Sequence, residues 1–161
     1  MNSVVPFLLA GLLVQTPPTG PFAMQATVVI KAGDREIPLK LEEKVAFMFM
    51  AAISSMEDDC GRHMNRPCTL QELVNRPKAP DGWGMTKLKF DPTTTDPNYT
   101  YRIAITGREW RISAIPRKPG LGGFYVTGPF PKTYYNPKGQ ASAADLQLTE
   151  SSIDGDGFVL D

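Results

Sequence analysis

One long apolar segment, in a chain otherwise interrupted by turns, constrains the fold most. It runs from Val45 to Met56, and one helical stripe of it consists of Val45, Met48, Phe49, Ala52, Ile53 and Met56. Phe47 and Met50 lie off this stripe, so the predicted helix is apolar around much of its circumference. Burial against a sheet is the favoured interpretation, and a partner-binding surface is the alternative.

The ends of this helix carry recognisable signals. Glu42 and Glu43 lie in its first turn, where the helix dipole favours carboxylates. The acidic run 57–59 leads into Cys60, and Gly61 is a natural helix stop. The carboxylates of Asp58 and Asp59 are interpreted as solvated charges at the helix end.

The rest of the chain predicts short strands and turns, in keeping with its 15 prolines and 14 glycines. Residues 25–41 indicate a β-hairpin, and residues 99–106 and 109–115 a second one, with further strands at 123–127 and 133–136. Thr69 and Glu72 form a capping-box pattern that starts a short second helix. The predicted fold class is α+β: one main helix packed on a small antiparallel β-sheet, with an N-terminal β-hairpin and a short second helix.

The alternation of residues in the central hairpin predicts its buried face. Tyr101, Ile103 and Ile105 share one face of the first strand, and Trp110, Ile112 and Ala114 share one face of the second. A tight turn at Gly107-Arg108 brings the two faces together on the buried side of the sheet.

The domain boundaries follow from the two ends of the sequence. Residues 1–23 form a signal-like targeting segment whose apolar run, 4–14, is too short for a stable membrane span. Residues 24–145 form a single domain, and residues 146–161 are expected to be a polar, flexible tail. The expected location is periplasmic or extracellular.

Cys60 and Cys68 are the only two cysteines, and they flank a short loop that contains the single histidine, His63. In an oxidising compartment they would close a disulfide, which agrees with export. Reduced thiols and a metal site that includes His63 are the alternatives, although the spacing matches no standard zinc pattern.

No catalytic constellation emerges, and no catalytic residue is assigned. His63 is the only imidazole available to a nucleophile, and no phosphate-binding loop is present in the sequence. The formal net charge is +0 with no basic run, so nucleic acid is not an expected partner. The expected partners are proteins.

Two ligand hypotheses remain from side-chain chemistry. Asp154 and Asp156 form an oxygen-rich turn that suits calcium, although the further ligands of a complete loop do not follow. The aromatic side chains at strand positions suit either a carbohydrate platform or a core with cross-strand pairs: Tyr99, Tyr101, Tyr125, Tyr134 and Tyr135.

The stretch Asp81-Gly82-Trp83-Gly84 places an indole between two glycines, just after the second helix. Glycine adopts backbone angles that other residues resist, so we expect a sharp structural turn here. Trp83 is expected to fold back onto the core, and Asp81 to cap the turn through backbone N–H groups.

The order of these features resembles the globular part of type IV pilin-like proteins, in particular the major pseudopilin of type II secretion. The similarity rests on a helix ending at 51–56, the helix at 69–73, the turn at 81–84 and the hairpin ending at Pro116. The N-terminal pilin helix and cleavage motif of that family are not found in this sequence. The resemblance implies a pilin-like domain that acts through protein contacts, without implying membership of a pilus.

Overall fold

A computed structural model describes residues 23–24, 27–75, 80–81, 91–154 and 158–159. Within these ranges the helices are α1 (Leu41–Met64), α2 (Leu70–Asn75) and α3 (Pro92–Thr95). The strands are β1 (Ala23–Met24), β2 (Thr27–Ala32), β3 (Arg35–Glu36), β4 (Tyr99–Thr106), β5 (Glu109–Pro116), β6 (Gly123–Gly128), β7 (Lys132–Asn136), β8 (Leu146–Gln147), β9 (Glu150–Asp154) and β10 (Phe158–Val159). The predicted α+β class is confirmed.

Helix α1 is longer than the apolar stripe that predicted it. The backbone N–H of Lys40 donates to Glu43 Oε2 over 2.7 Å at the first turn. The helix continues through Gly61, so the predicted stop there is wrong. Asn65 ends the helix in the left-handed conformation, with φ of 55°, because asparagine tolerates this conformation at a helix end.

The main sheet has the strand order β4-β5-β6-β7-β8, and every neighbouring pair is antiparallel. In the β4–β5 hairpin, Tyr101 pairs with Ala114 and Ile103 with Ile112. This register confirms that these residues share one face, but the predicted burial of Ile105 is wrong, since its side chain is 37% exposed. Helix α1 packs on this face, with Phe49 against the ring of Tyr101 at 5.7 Å between centroids.

The predicted burial of α1 is confirmed as well. Phe47 and Met50, which lie off the helical stripe, are 4% and 1% exposed. Phe47 packs edge-on against Phe124 of β6, with 5.5 Å between ring centroids. The wide apolar circumference of α1 therefore belongs to the core.

A second sheet has the order β3-β2-β9 and contains the predicted N-terminal hairpin. Strand β9 pairs with β2 along its length, from Lys31–Glu150 to Thr27–Asp154. Residues 146–147 and 150–154 therefore form strands of the two sheets, in the segment that was expected to be a polar tail. The side chains of Val28 and Ile30 are buried on β2, and β9 supplies the hydrogen bonds that its backbone edge requires.

Helix α2 has the predicted capping box. The backbone N–H of Thr69 donates to Glu72 Oε2 over 2.8 Å, and the backbone N–H of Glu72 donates to Thr69 Oγ1 over 3.2 Å. Helix α3 was not predicted, because residues after 81 were expected to form only strands and turns. The alternating sequence at 87–90, which also predicts a short strand, lies outside the described residues.

A buried carboxylate ties the start of α1 to the main sheet. Glu43 is 3% exposed, and its Oε1 accepts the backbone N–H of Gly122 over 2.6 Å and the hydroxyl of Tyr135 over 3.2 Å. The Tyr99 hydroxyl donates to the carbonyl of Gly122 over 2.7 Å. Any side chain at Gly122 would collide with the Tyr135 ring. The loop can therefore lie this close to Tyr135 only because residue 122 is glycine.

Candidate functional site

The C-terminal turn of α1 meets the β4–β5 turn and the start of the β6–β7 connection at one end of the molecule. A cavity of about 430 Å³ lies between them. Its charged and amide lining consists of Asp58, Arg62, Asn65, Arg66 and Arg108, and its apolar lining includes Trp110 and Pro129. We call this cavity the arginine pocket.

The helix and the hairpin bring the three arginines together. Arg62 lies in the last turn of α1, Arg66 lies just beyond the end of the helix, and Arg108 occupies the turn between β4 and β5. The Arg108 guanidinium donates to Asn65 Oδ1 over 3.3 Å. This bond joins the hairpin turn to the residue that ends α1.

Two of the three guanidiniums already hold carboxylates. Arg62 Nη2 donates to Asp59 Oδ1 over 2.8 Å. Arg66 donates to both oxygens of Glu72, over 2.6 and 3.1 Å. The hydrogen bond from Arg66 is the largest cause that lowers the pKa of Glu72 to about 2.

Arg108 differs from the other two arginines. In the part of the chain that the structure describes, its side chain bonds only to the neutral amide of Asn65 and to no carboxylate. Asp58 is the acidic member of the pocket lining, and desolvation by burial raises the pKa of its carboxyl. The described lining therefore carries three cations and one acidic group, and Asp59 and Glu72 beside it pair with two of the cations.

The apolar wall of the pocket depends on a close approach of two strands. Trp110 of β5 pairs with Gly128 of β6 and is 2% exposed. A side chain at Gly128 would collide with the indole ring. Glycine therefore lets the indole lie directly over the neighbouring strand and present its edge to the cavity.

The pocket adjoins the disulfide, which closes Cys60 to Cys68 as the sequence predicted. Both sulfurs are bonded, so neither can act as a thiolate ligand in the alternative metal site. His63 lies in the same loop, and its Nδ1 is 2.8 Å from Asp81 Oδ2. This contact ties the turn at residues 80–81 to the end of α1.

A second buried carboxylate lies beneath the disulfide loop. Glu57 is 1% exposed, and its Oε2 accepts the backbone N–H of Cys68 over 2.9 Å. Its Oε1 has no hydrogen-bond partner among the described residues. Desolvation by burial is the main cause that raises the pKa of Glu57 to about 7.

The outer side of the main sheet carries an aromatic pair. Tyr125 and Tyr134 are cross-strand neighbours, with 6.1 Å between their ring centroids and 47° between their planes. They line a shallow cavity of about 560 Å³ together with Arg111, Lys132 and Phe130. We call these five residues the aromatic face; Phe130 is 85% exposed.

The arginine pocket and the aromatic face are adjacent. Trp110 and Pro129 line both cavities. Phe130 follows Pro129 directly in the chain. One end of the molecule therefore presents arginines, an exposed aromatic ring and a tyrosine pair in succession.

The structure separates the five tyrosines that the sequence grouped together. Tyr99, Tyr101 and Tyr135 are buried on the inner side of the sheet, at 0%, 4% and 4% exposure. Tyr125 and Tyr134 are half-buried on the outer side. A carbohydrate platform could therefore use two of the five.

Several predicted site residues lie outside the described part of the chain. Gly82, Trp83 and Gly84 are among them, as is Asp156. Asp154 is exposed at the end of β9 and pairs with Thr27. Among the described residues, no group of three or more His, Cys, Asp or Glu is placed to hold a metal ion.

Sequence reasoning missed the arginine pocket. Arg62 and Arg66 lie close together in the sequence, on either side of the end of α1, and this proximity is the available signal. Arg108 lies on a hairpin turn far along the chain, and only the packing of α1 on β5 brings it to them.

Comparison with known proteins gives no relative: no family model, no curated protein and no solved structure matches this chain. Within the described ranges, no helix is long and apolar enough to cross a membrane.

Proposed function

We propose that this chain is an exported, non-enzymatic protein with a pseudopilin-like α+β domain that acts by binding other proteins, in a secretion or pilus system. The Cys60–Cys68 disulfide supports export, because such bonds persist in oxidising compartments. The order of helix α1, helix α2 and the antiparallel sheet supports the pseudopilin-like part of the proposal.

The continuous surface formed by the arginine pocket and the aromatic face carries the proposal. Arginine and aromatic side chains are enriched in protein interfaces and dominate their binding energy. Phe130 is 85% exposed and follows Pro129, which lines both cavities. A ring this exposed gains apolar burial only when another molecule covers it.

Site-specific photo-cross-linking in the cells that produce the protein tests this function. A benzophenone amino acid replaces Phe130, and the same amino acid at Asp34, in the exposed β2–β3 turn, is the matched control. We expect one discrete protein adduct, identified by mass spectrometry, from position 130 and none from position 34. Equal adducts at both positions, or none at position 130, would contradict the proposal.

Export has a separate test. Mass spectrometry of the mature protein is expected to show cleavage near residue 23 and the loss of two hydrogens for the disulfide. An intact segment 1–23 together with free thiols would overturn periplasmic or extracellular location.

Small-ligand or carbohydrate binding is the second candidate function, favoured by the adjacent rings of Tyr125 and Tyr134 on the outer side of the sheet. Aromatic rings on a solvent-facing surface can stack on the apolar face of a sugar. A glycan array with Tyr134→Ala, and Tyr134→Phe as the matched control, tests it. Binding that survives in the Phe variant and is lost in the Ala variant would support this candidate.

A further inference from the structure

The arginine pocket combines a guanidinium that is bonded to no carboxylate among the described residues, that of Arg108, with an apolar wall formed by Trp110 and Pro129. Arg62 and Arg66 are engaged by Asp59 and Glu72, whereas Arg108 bonds to the amide of Asn65. A guanidinium presents several donors in a fixed planar arrangement. Its remaining donors can therefore receive an anion without breaking an ion pair of the protein.

The geometry points to a binding site for a carboxylate of an acidic peptide segment, with the carboxylate on Arg108 and the adjoining peptide against the exposed Pro129, which lies beside the buried Trp110. This inference rests on the proposed function, since it names the chemistry of the partner at the same surface. The occupant is a segment of another protein that is rich in Asp or Glu.

Charge complementarity selects this occupant. Arg62 and Arg66 are already paired with Asp59 and Glu72, so Arg108 is the cation of the lining that has no carboxylate partner among the described residues, and a carboxylate is complementary to it. A phosphate dianion brings twice the charge close to Asp58, which opposes it. Arg66 already binds the carboxylate of Glu72 through two parallel hydrogen bonds. Arg108 can bind a carboxylate of the partner in the same way.

The shape of the surface favours a peptide over a small free acid. The cavity of about 430 Å³ opens toward the aromatic face through Trp110 and Pro129. A peptide anchored at Arg108 can continue across Phe130, which is 85% exposed. Burying that ring adds apolar contact that a free carboxylic acid would not make.

The test is a titration of the full chain with a defined probe at physiological ionic strength. The probe is an acetylated, amidated peptide of alternating Glu and Ser, and the matched peptide carries Gln in place of Glu. Binding is followed by calorimetry and by the NMR signals of the arginine side chains. We expect the Glu peptide to bind and the Gln peptide to bind at least about tenfold more weakly, as the loss of a charge-assisted hydrogen bond implies.

Variants assign the binding to the pocket. Arg108→Gln should weaken binding of the Glu peptide about tenfold, and Arg108→Lys should recover part of it, because it restores the charge without the planar donors. Arg102→Gln is the matched control, since Arg102 is exposed on β4 outside the pocket. It should leave binding unchanged. Thermal unfolding of each variant verifies that it is folded.

Three results would overturn the inference. The first is equal binding of the Glu and Gln peptides, and the second is an equal loss in the Arg102 and Arg108 variants. The third is inorganic phosphate or sulfate, each titrated alone, binding more tightly than the Glu peptide, which would assign the pocket to a free inorganic anion.

The two proposals can fail separately. If the cross-link at position 130 is specific and the Glu peptide does not bind, the carboxylate assignment fails and the protein-binding function stands. If the cross-link is absent as well, the proposed function fails with it.

Discussion

Helix α1 buries one glutamate near each of its ends, and the two differ in the hydrogen-bond donors that they meet. Glu43 is 3% exposed and accepts bonds from the backbone N–H groups of Lys40 and Gly122 and from the Tyr135 hydroxyl. Glu57 is 1% exposed and accepts one bond, from the backbone of Cys68. Its second oxygen has no partner among the described residues.

The difference shows that burial alone does not define the role of a carboxylate. Ordered donors replace the water that a charged group loses, whereas an unpartnered oxygen leaves that cost uncompensated. Glu43 therefore locks the helix to the sheet. Glu57 is instead a group whose protonation affects stability near neutral pH, because desolvation raises its pKa to about 7.

Removing the carboxylate of Glu43 is expected to have the largest effect. Glu43→Ala leaves the buried N–H of Gly122 and the hydroxyl of Tyr135 without their acceptor. The free energy of unfolding should fall by about 4 kcal/mol, as measured by urea denaturation at neutral pH. Glu42→Ala, an exposed neighbour in the same turn, is the control and should change stability by less than about 0.5 kcal/mol. Equal losses in both variants would show that Glu43 is not a special anchor.

Glu57 should make the stability of the protein depend on pH. Its pKa rises from 4.5 to about 7 on folding, so the folded state binds the proton more tightly than the unfolded state. The contribution is fully present below pH 4.5 and is lost as the pH rises through 7. The shift corresponds to roughly 3 kcal/mol.

Glu57→Gln isolates this contribution, because glutamine does not titrate. The difference in unfolding free energy between the variant and the parent should rise by roughly 3 kcal/mol in favour of the variant between mildly acidic and mildly alkaline pH. Glu36→Gln, at an exposed carboxyl on β3, should show no such trend. A constant difference across this range would mean that Glu57 titrates alike in the folded and unfolded chain.

The contrast between the two glutamates was not predictable from the sequence. From the sequence, Glu43 was interpreted as a residue that the helix dipole favours, and Glu57 as part of an acidic run. Since glutamate is seldom fully buried, burial was expected for neither. By comparison, the Thr69–Glu72 capping box and the Tyr101–Ala114 register follow from local patterns, and the structure confirms them. Local rules predict local bonds, whereas burial of a charge depends on what packs over it.

The candidate site could not be predicted from local sequence patterns either. The cysteine pairing could be predicted, because two cysteines permit one intramolecular bridge. The approach of Arg108 to Asn65 requires the packing of α1 on the sheet, and the pairing of β9 with β2 joins residues more than a hundred positions apart. Neither of these two contacts can be predicted from the spacing of residues or from the periodicity of the sequence.

Removing the disulfide tests whether the Glu57 end of α1 depends on covalent closure. The bridge spans a sequence separation of 8, and the double variant Cys60→Ala, Cys68→Ala should lose about 2.5 kcal/mol by the chain-entropy model. Loosening the loop should also weaken the bond from the Cys68 backbone to Glu57. Urea denaturation with and without reductant measures the effect. A reductant that destabilises the double variant as much as the parent would show that the effect does not come from the bridge.

The smallest effect concerns Glu72, the partly exposed counterpart of Glu57 beside the same loop. Its pKa falls to about 2, mainly through the hydrogen bond from Arg66, so its contribution is present above pH 4.5 and is lost as the pH falls toward 2. The side chains of this pair are 49% and 33% exposed, and solvent screening limits the contribution to about 1 kcal/mol.

Glu72→Gln should therefore lower stability by about 1 kcal/mol at pH near 5 and by less at pH near 2, in the opposite direction to the trend for Glu57→Gln. Glu150→Gln removes the exposed pair with Lys31 and is the matched control, with a smaller expected change. Circular-dichroism melts across this acidic range measure both variants. If Glu72→Gln and Glu57→Gln changed with pH in the same direction, the distinction between the ion-paired Glu72 and the desolvated Glu57 at this end of α1 would not hold.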